Sequence, residues 1–194
     1  SSKKAIEDFG IKGGYLFDDS YESLNVVGEK VSFYAYQGEN VMPSLEYFEK
    51  VQLDQFVRYS TLNCIDSYKV FEKKGYEISI TEMNITSDLS YGKFSSNLNL
   101  NLDVKLADIR ENIETNFNYE IETNIFKLLT QAREVVNYFL SNENIDFSFF
   151  DDYDIEISSY SVNDYLHYEE YGDNNFIVTL SDNDYVLGFA LNLK

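Results

Sequence analysis

The sequence predicts an α+β fold, in which an antiparallel sheet with a long hairpin and a C-terminal meander carries two amphipathic helices on one face. The strongest observation is residues 97–106, NLNLNLDVKL, where polar and apolar residues alternate without a break. Successive side chains of a strand point to opposite faces, so this pattern predicts one buried and one solvated face, as is typical of antiparallel sheets. Residues 76–86 also alternate, and residues 87–92 would form the turn of a long hairpin.

We expect this hairpin to form the middle of the sheet, with its leucine face buried. A slip of one residue in the pairing would exchange the two faces. Burial of the asparagines would therefore contradict the prediction. The residues expected to be buried together are Leu98, Leu100, Leu102 and Val104, and those expected to face away are Asn97, Asn99 and Asn101.

Two segments have the apolar spacing of helices. The first begins near Pro43, a residue favoured in the first helical turn, and Gly75 after two lysines marks its end. The second covers residues 123–140, and we expect it to lie across the buried side of the sheet, against the hairpin. The apolar positions are Leu53, Phe56, Val57, Cys64, Tyr68 and Phe71 in the first helix, and Ile125, Leu128, Leu129, Ala132, Val136, Phe139 and Leu140 in the second.

The C-terminal third predicts a meander of strands, because it is rich in β-branched and aromatic residues separated by turn-forming sets. Near the N-terminus, Gly13 and Gly14 follow a short helical segment and predict a helix stop before a strand. No internal repeat or linker interrupts the chain, so residues 1–194 are expected to form a single globular domain. The predicted C-terminal strands are residues 155–161, 165–171, 176–180 and 185–193.

The charge of the chain limits the functions that it can have. Thirty-four acidic and 15 basic residues give a net charge of −19 in 194 residues, which repels nucleic acid and anionic membrane surfaces. A hydrophobic fraction of 44% is too high for a disordered chain. One His and one Cys offer little for nucleophilic, general-base or transition-metal chemistry. We therefore expect no enzymatic activity, no cofactor and no metal.

The single His and the single Cys each have a functional and a structural interpretation. His167 could be a metal ligand or a general base, but no second His or Cys stands at ligand spacing, which favours a strand residue at the surface. Cys64 as a nucleophile would need an oriented His. Its position on an apolar stripe favours a buried small hydrophobe, and an odd Cys is also consistent with a disulfide to a partner outside this chain.

Two further motifs are weaker. Residues 151–156, DDYDIE, place carboxylates at alternate positions as a calcium loop does, but lack the Gly and Glu that such a loop uses at its sixth and twelfth positions. They are better explained as a solvated turn. Asn84-Ile85-Thr86 matches the N-glycosylation pattern, so Asn84 is a candidate acceptor if the chain is exported.

Six short segments, taken in order, resemble one protein family. They are residues 10–16 (GIKGGYL), 34–36 (YAY), 42–46 (MPSLE), 62–64 (LNC), 71–78 (FEKKGYEI) and 189–193 (FALNL). Together they resemble a family of uncharacterised, exported surface proteins from small, host-dependent archaeal lineages. The resemblance implies a pilin-like hydrophobic segment before the exported domain, so this chain is interpreted as a soluble ectodomain at the extracellular face of the cell membrane. It also implies a second Cys upstream of Ser1, which would form a disulfide with Cys64.

The predicted function is a non-enzymatic cell-surface ectodomain with a structural, pilin-like or adhesive role. Expected partners are other surface proteins, a host-cell surface or further copies of the chain, with no nucleic acid, and with membrane only through a segment outside this chain. One alternative is an acidic mimic of nucleic acid in the basic groove of another protein. Another is a carboxylate-based hydrolase, for which two carboxylates would have to face each other across a cleft. The candidates for that pair are Glu156, Glu169 and Glu170.

Overall fold

The computed structural model describes residues 6, 9–17, 22–26, 29–66, 69–142, 147–150, 152–160 and 175–192. The protein has the predicted α+β fold, with antiparallel sheets, a long hairpin and C-terminal strands. The chain divides into two compact units: unit 1 comprises Ser1–Ser44 and Thr123–Lys194, and unit 2 comprises Leu45–Glu122. The sequence predicts one domain because no Pro-, Gly- or Ser-rich linker marks either crossing between the units.

Helices and strands alternate in groups along the chain. Helix α1 has three consecutive sections, the middle one π-helical: Leu45–Tyr47, Phe48–Leu53 and Asp54–Asp66. Helix α2 is Lys69–Glu72 and helix α3 is Ile125–Ser141, and a 3₁₀ turn covers Phe147–Phe150. The strands are β1 (Ser23–Val26), β2 (Glu29–Tyr36), β3 (Glu39–Asn40), β4 (Tyr76–Ser90), β5 (Lys93–Leu106), β6 (Ile109–Glu122), β7 (Ile155–Tyr160), β8 (Asn175–Asp182) and β9 (Tyr185–Asn192).

Unit 1 is built on a sheet in the order β1-β2-β9-β8-β7, with β3 paired to β2. Its strands pair antiparallel except for β2 and β9, which are parallel. This parallel pair joins the N-terminal and C-terminal parts of the chain. Between these two strands the ring of Tyr34 stacks on the ring of Phe189, with ring centroids 4.6 Å apart. Burial raises the pKa of Tyr34 well above its ordinary value. The predicted strand at residues 165–171 lies outside the described residues.

Helix α3 packs its apolar face on the sheet of unit 1. The predicted apolar stripe is confirmed. Six of its seven residues are buried, and the seventh, Leu140, is half-buried. The helix contacts β2, β3, β8 and β9, and Lys127 Nζ donates to Asp182 at the end of β8. The expectation that this helix packs against the long hairpin is therefore wrong. An amphipathic stripe shows that a helix buries one face, but it does not identify the sheet that covers that face.

A helical turn at residues 9–11 fits closely against β9. A Cβ atom on Gly10 would lie 2.1 Å from the carbonyl oxygen of Val186, so only glycine fits without a shift of the backbone. Gly13 and Gly14 end the turn with φ angles of 61° and 84°. The N–H of Gly14 donates to the carbonyl oxygen of Phe9 at 2.7 Å. The glycine pair is thus the predicted helix stop, although the residues that follow it do not begin a strand.

Unit 2 contains a three-stranded antiparallel sheet in the order β4-β5-β6. The hairpin of β4 and β5 is longer than predicted, because pairing continues to Ser90 and Lys93 and leaves only Tyr91 and Gly92 in the turn. Gly92 permits this tight turn through its φ of 80°. Strand β6 then pairs with β5 along its entire length, from Ile109 to Glu122, without a shift of register.

Helices α1 and α2 contact strand β4 within unit 2. The predicted apolar stripe holds at Leu53, which is buried, and fails further along, where Cys64 and Phe71 are exposed. Helical spacing identifies one side of a helix, but a helix longer than the surface beneath it leaves part of that side in solvent. The predicted stop at Gly75 is confirmed by its φ of 86° and by its N–H, which donates to Glu72 at 2.9 Å.

Candidate functional site

The sheet of unit 2 has an apolar face and a polar face, as the alternating sequence predicts. Leu100 is buried, and the other three residues expected to be buried with it are half-buried. On the opposite face Asn99 is exposed, and Asn97 and Asn101 are half-buried. The asparagines are therefore not the buried set, but only Leu100 of the four predicted residues is buried, so the prediction that they are buried together is confirmed in part. The apolar face is only partly covered.

Strand β6 forms one edge of this sheet and exposes a row of large apolar side chains. The register places Ile113 beside Leu102 and Phe117 beside Leu98, so the row extends the leucine face. Single exposed apolar residues are ordinary on a soluble protein, whereas several on one face of one strand indicate a candidate interaction surface. We call this group the β6 row. Its members and their exposed fractions are Ile109 (65%), Ile113 (40%), Phe117 (54%) and Tyr119 (43%).

The outer edge of β6 lacks several features that keep sheet edges apart, although five of its residues are charged: Arg110, Glu111, Glu114, Glu120 and Glu122. The strand is 14 residues long, it contains no Pro, Gly or Lys, and its pairing with β5 shows no bulge. Natural edge strands are commonly short, bulged or protected by Lys or Pro, because unpaired backbone N–H and C=O groups accept another strand. Strand β4, by contrast, carries a bulge between Ile80 and Glu82. The β6 edge is therefore a ready template for strand addition.

The polar face of the same sheet is bound together by amide pairs between neighbouring strands. Asn97 Nδ2 donates to Asn118 Oδ1 at 2.8 Å, and Asn116 Nδ2 donates to Asn99 Oδ1 at 2.5 Å. Glu82 accepts hydrogen bonds from the Asn84 and Asn101 amides. The acidic groups of this face alternate with amides and cations. Such an arrangement differs from the continuous acidic stripe that a nucleic-acid mimic would need.

Charged residues gather where β4 begins and β5 ends, near the β5–β6 turn. Arg110 donates to Asp103 through Nε at 2.7 Å and through Nη2 at 2.5 Å, and Lys105 Nζ lies 3.2 Å from Glu77. The hydrogen bond from Arg110 lowers the pKa of Asp103 and outweighs desolvation, which would raise it. These pairs line an open depression of about 560 Å³ together with Asp108. Its lining also contains Ser79, and it includes neither His nor Cys.

An aromatic cluster lies in unit 1 between α3 and the 3₁₀ turn. The rings of Tyr138 and Phe149 stack with centroids 4.5 Å apart, and Phe150 meets Tyr138 edge to face. Tyr153 donates its hydroxyl to the carboxylate of Glu134. Desolvation and this hydrogen bond raise the pKa of Tyr153 to about 12. The cluster is accounted for by packing of the 3₁₀ turn on the helix.

The structure separates the residues that the sequence singled out. Cys64 is exposed on α1, which corrects the expectation of a buried position. Asn84 is exposed on the polar face of β4, where a glycan acceptor would be accessible. His167, Glu169, Glu170 and the side chain of Glu156 lie outside the described residues. Among the side chains that are described, no group of three His, Cys, Asp or Glu residues could hold a metal ion.

Strand β6, which carries the candidate surface, is absent from the elements that the sequence predicts. Ile109, Ile113, Phe117 and Ile121 recur every fourth position, a spacing that fits a helix nearly as well as a strand, and only Tyr119 adds an alternate position. The sequence offers only a weak signal, the turn residue Asp108 just after β5, and the structure shows the turn there with a φ of 54° at Ala107. A tight turn directly after a strong strand predicts an antiparallel neighbour.

Comparisons with known proteins identify no relative of this chain. No protein-family model, no curated protein and no solved structure matches it. The resemblance to archaeal surface proteins therefore stays a prediction that rests on the six short segments. In the part of the chain that the structure describes, no helix is both long and apolar enough to cross a membrane.

Proposed function

We propose that this chain is a non-enzymatic interaction module with a structural or adhesive role, and that it binds protein through the β6 row. The observation that carries the proposal is the exposure of the row, which ranges from 40% at Ile113 to 65% at Ile109 on one continuous strand. Apolar surface gains free energy when it leaves water, roughly in proportion to the area buried. A protein that covers this face would also extend a sheet whose edge is already formed.

The shape of the sheet supports protein binding over small-molecule chemistry. Binding sites for small molecules are concave and enclose most of the ligand, whereas this surface is an open strand of 14 residues. Backbone groups along such a strand recognise another extended chain, and alternate side chains give specificity. The row and the edge therefore fit the same kind of partner.

The cellular setting of the proposal comes from the sequence. An exported, surface-exposed domain is implied by the resemblance to archaeal surface proteins, and a structural or adhesive role agrees with an exposed sheet. For the hydrolase alternative, the open depression of unit 2 is lined by carboxylates, but those of Glu77 and Asp103 are paired with Lys105 and Arg110. The described carboxylates of the polar face are interleaved with amides and cations, and the side chains of all three residues named for a hydrolase lie outside the described residues.

The test is site-specific photo-crosslinking in the cells that make the protein. A benzophenone amino acid replaces Phe117 in the β6 row, and a matched control replaces Tyr91, which is 77% exposed at the hairpin turn of the same unit. We expect protein adducts from position 117 and none of comparable yield from position 91. No adduct at either position, or equal adducts at both, would overturn the binding role of the row.

A second measurement tests the cellular location separately. Intact cells are treated with a membrane-impermeant amine label and compared with lysed cells. Because the chain carries 15 basic residues, several lysines are available for labelling. Equal labelling before and after lysis is expected for a surface protein. Labelling that occurs only after lysis would remove the exported part of the proposal and leave the binding role to be judged by the crosslinks.

A further inference from the structure

We infer that the β6 edge pairs with the β6 edge of a second copy of this chain, antiparallel, about a two-fold axis at Thr115. The inference rests on the proposed binding role of the β6 row and names its partner. It is carried by the order of residues along β6, which is complementary to its own reverse. A self-complementary patch is what a two-fold dimer requires, since the same surface serves both copies.

The symmetry restricts the register that two such strands can adopt. A two-fold axis perpendicular to the sheet keeps the apolar side chains of both copies on the same face. Because side chains alternate along a strand, odd-numbered residues of one copy then face odd-numbered residues of the other, and even-numbered residues face even-numbered ones. The axis therefore lies between the two copies of a single residue. An axis at Thr115 pairs residues 109–121 of one copy with residues 121–109 of the other, which covers nearly all of β6.

In this register the opposed side chains match in chemistry. On the apolar face Ile109 lies opposite Ile121, and Ile113 lies opposite Phe117. On the polar face Arg110 lies opposite Glu120. Each of these contacts occurs twice in the dimer because of the symmetry. Pairs of this kind stabilise antiparallel sheets.

The charged contact would extend ion pairs that each copy already contains. Arg110 is bound to Asp103 within its own chain, and Glu120 lies 3.3 Å from Lys93. Bringing Arg110 of one copy to Glu120 of the other links these pairs into a row in which the charges alternate. The two acidic chains therefore meet through a strip where opposite charges face each other, which favours this register.

Neighbouring registers are less favourable. A shift of the axis by one residue in either direction places Glu111 opposite an apolar side chain, either Phe117 or Ile121. A shift to residue 117 places Glu114 opposite Glu120, and like charges directly opposite destabilise a sheet. A shift to residue 113 leaves the last five residues of β6 unpaired. With the axis at Thr115, Glu111 lies opposite Tyr119, which carries a polar hydroxyl, and the other two penalties are avoided.

The dimer should be reversible and depend on concentration. Paired strands of this length cover roughly 40 Å, and an interface one strand wide belongs to the small class typical of transient complexes. The net charge of −19 on each copy also opposes association at low salt. The association should therefore be measured at about 0.15 M salt, where the electrostatic screening length is about 8 Å.

Sedimentation equilibrium of the purified chain tests the association and its register. We expect a monomer–dimer equilibrium in the micromolar range, shifted at least tenfold towards monomer by Ile113→Lys or Phe117→Lys. The double variant Ile113→Lys with Phe117→Glu should restore the dimer, because the introduced charges face each other across the axis. Within one chain positions 113 and 117 lie about 13 Å apart along the strand, too far to pair.

Cysteine crosslinking gives an independent measurement of the centre. In a Cys64→Ser background, Thr115→Cys should form a disulfide-linked dimer on mild oxidation, because directly opposed strand residues lie within the distance that a disulfide spans. Tyr119→Cys is the matched control, since its equivalent in the other copy would be about 26 Å away. Equal crosslinking of the two variants would overturn the register.

The outcomes separate this inference from the proposed function. A chain that stays monomeric up to about 1 mM overturns self-association. If position 117 still crosslinks to a different protein in cells, the binding role stands and only the identity of the partner is wrong. A dimer that both lysine variants leave unchanged also overturns the inference, because association then uses another surface.

Discussion

Replacement of Gly10 by Ala should destabilise unit 1, although the same change in an open helix would stabilise it. The added Cβ would lie 2.1 Å from the carbonyl oxygen of Val186 and 3.0 Å from Cδ1 of Ile125. Real Cβ atoms essentially never approach within 3.0 Å of such an atom, so the helical turn or β9 must move by about 1 Å in a close-packed interior.

Two opposing effects set the size of the change. Overpacking of a filled interior costs about 1–3 kcal/mol. Ala is favoured over Gly in a helix by about 1 kcal/mol, which offsets part of that cost. Because the close contact is with a backbone atom at 2.1 Å, the cost falls in the upper part of that range, about 2–3 kcal/mol, and the net loss in the free energy of unfolding is about 1–2 kcal/mol. For a chain of this size such a loss lowers the melting temperature by about 2–8 °C.

Gly188 provides the matched control on the other side of the same contact. A Cβ atom there would lie 3.5 Å from the carbonyl oxygen of Ile11, an ordinary contact distance. Gly188→Ala should leave the melting temperature unchanged or raise it slightly, because it removes backbone freedom from the unfolded chain. Both variants are compared with the natural sequence by circular dichroism during heating. Gly10→Ala with unchanged or increased stability, or an equal loss in both variants, would refute the close fit.

Two further predictions concern titration. The hydrogen bond from Arg110 lowers the pKa of Asp103 below its ordinary value of 3.8, so its stabilising effect is present above that value and is lost as the pH falls through the folded-state pKa. Asp103→Asn should therefore be less stable than the natural sequence at pH 7, and the difference in urea midpoint should shrink at about pH 3; a constant difference would contradict the pairing. The pKa of Tyr153 is raised from 10.0 to about 12, so its stabilising effect is present below pH 10 and is lost as the pH rises towards 12. Tyr153→Phe should remove one late-titrating phenolate from the absorbance titration, and an unchanged curve would contradict the contact with Glu134.

The sequence predicts local structure well where one physical rule decides it. Alternation along residues 97–106 identifies a strand and its two faces, because the side-chain period of a strand leaves no other assignment. The buried stripe of α3 follows in the same way from helical spacing. Gly13, Gly14 and Gly75 mark helix ends through their left-handed backbone. Each of these features depends on residues close together in the chain.

Features that depend on distant parts of the chain are not predicted. The stripe of α3 fits any apolar sheet surface, so it does not distinguish the sheet of unit 1 from the hairpin. The two units arise because β2 and β9 pair across most of the sequence, and nothing in residues 45–122 indicates that they form a separate unit. Cys64 has the spacing of a core residue, yet it lies beyond the covered part of α1.

The candidate site escapes prediction for a reason that is connected with its proposed role. A strand buried in a core needs an apolar residue at every second position, and this regular pattern is what identifies it. Strand β6 has Glu111 and Thr115 at two of those positions, so its isoleucines and Phe117 fall every fourth place, only Tyr119 lies between them, and the pattern is ambiguous. A strand with that composition cannot be fully buried on one face, but it still offers apolar side chains in a row. The mixture of polar and apolar residues that makes the strand difficult to identify in the sequence is therefore also the mixture expected of a surface that is exposed to water in the monomer and covered on association.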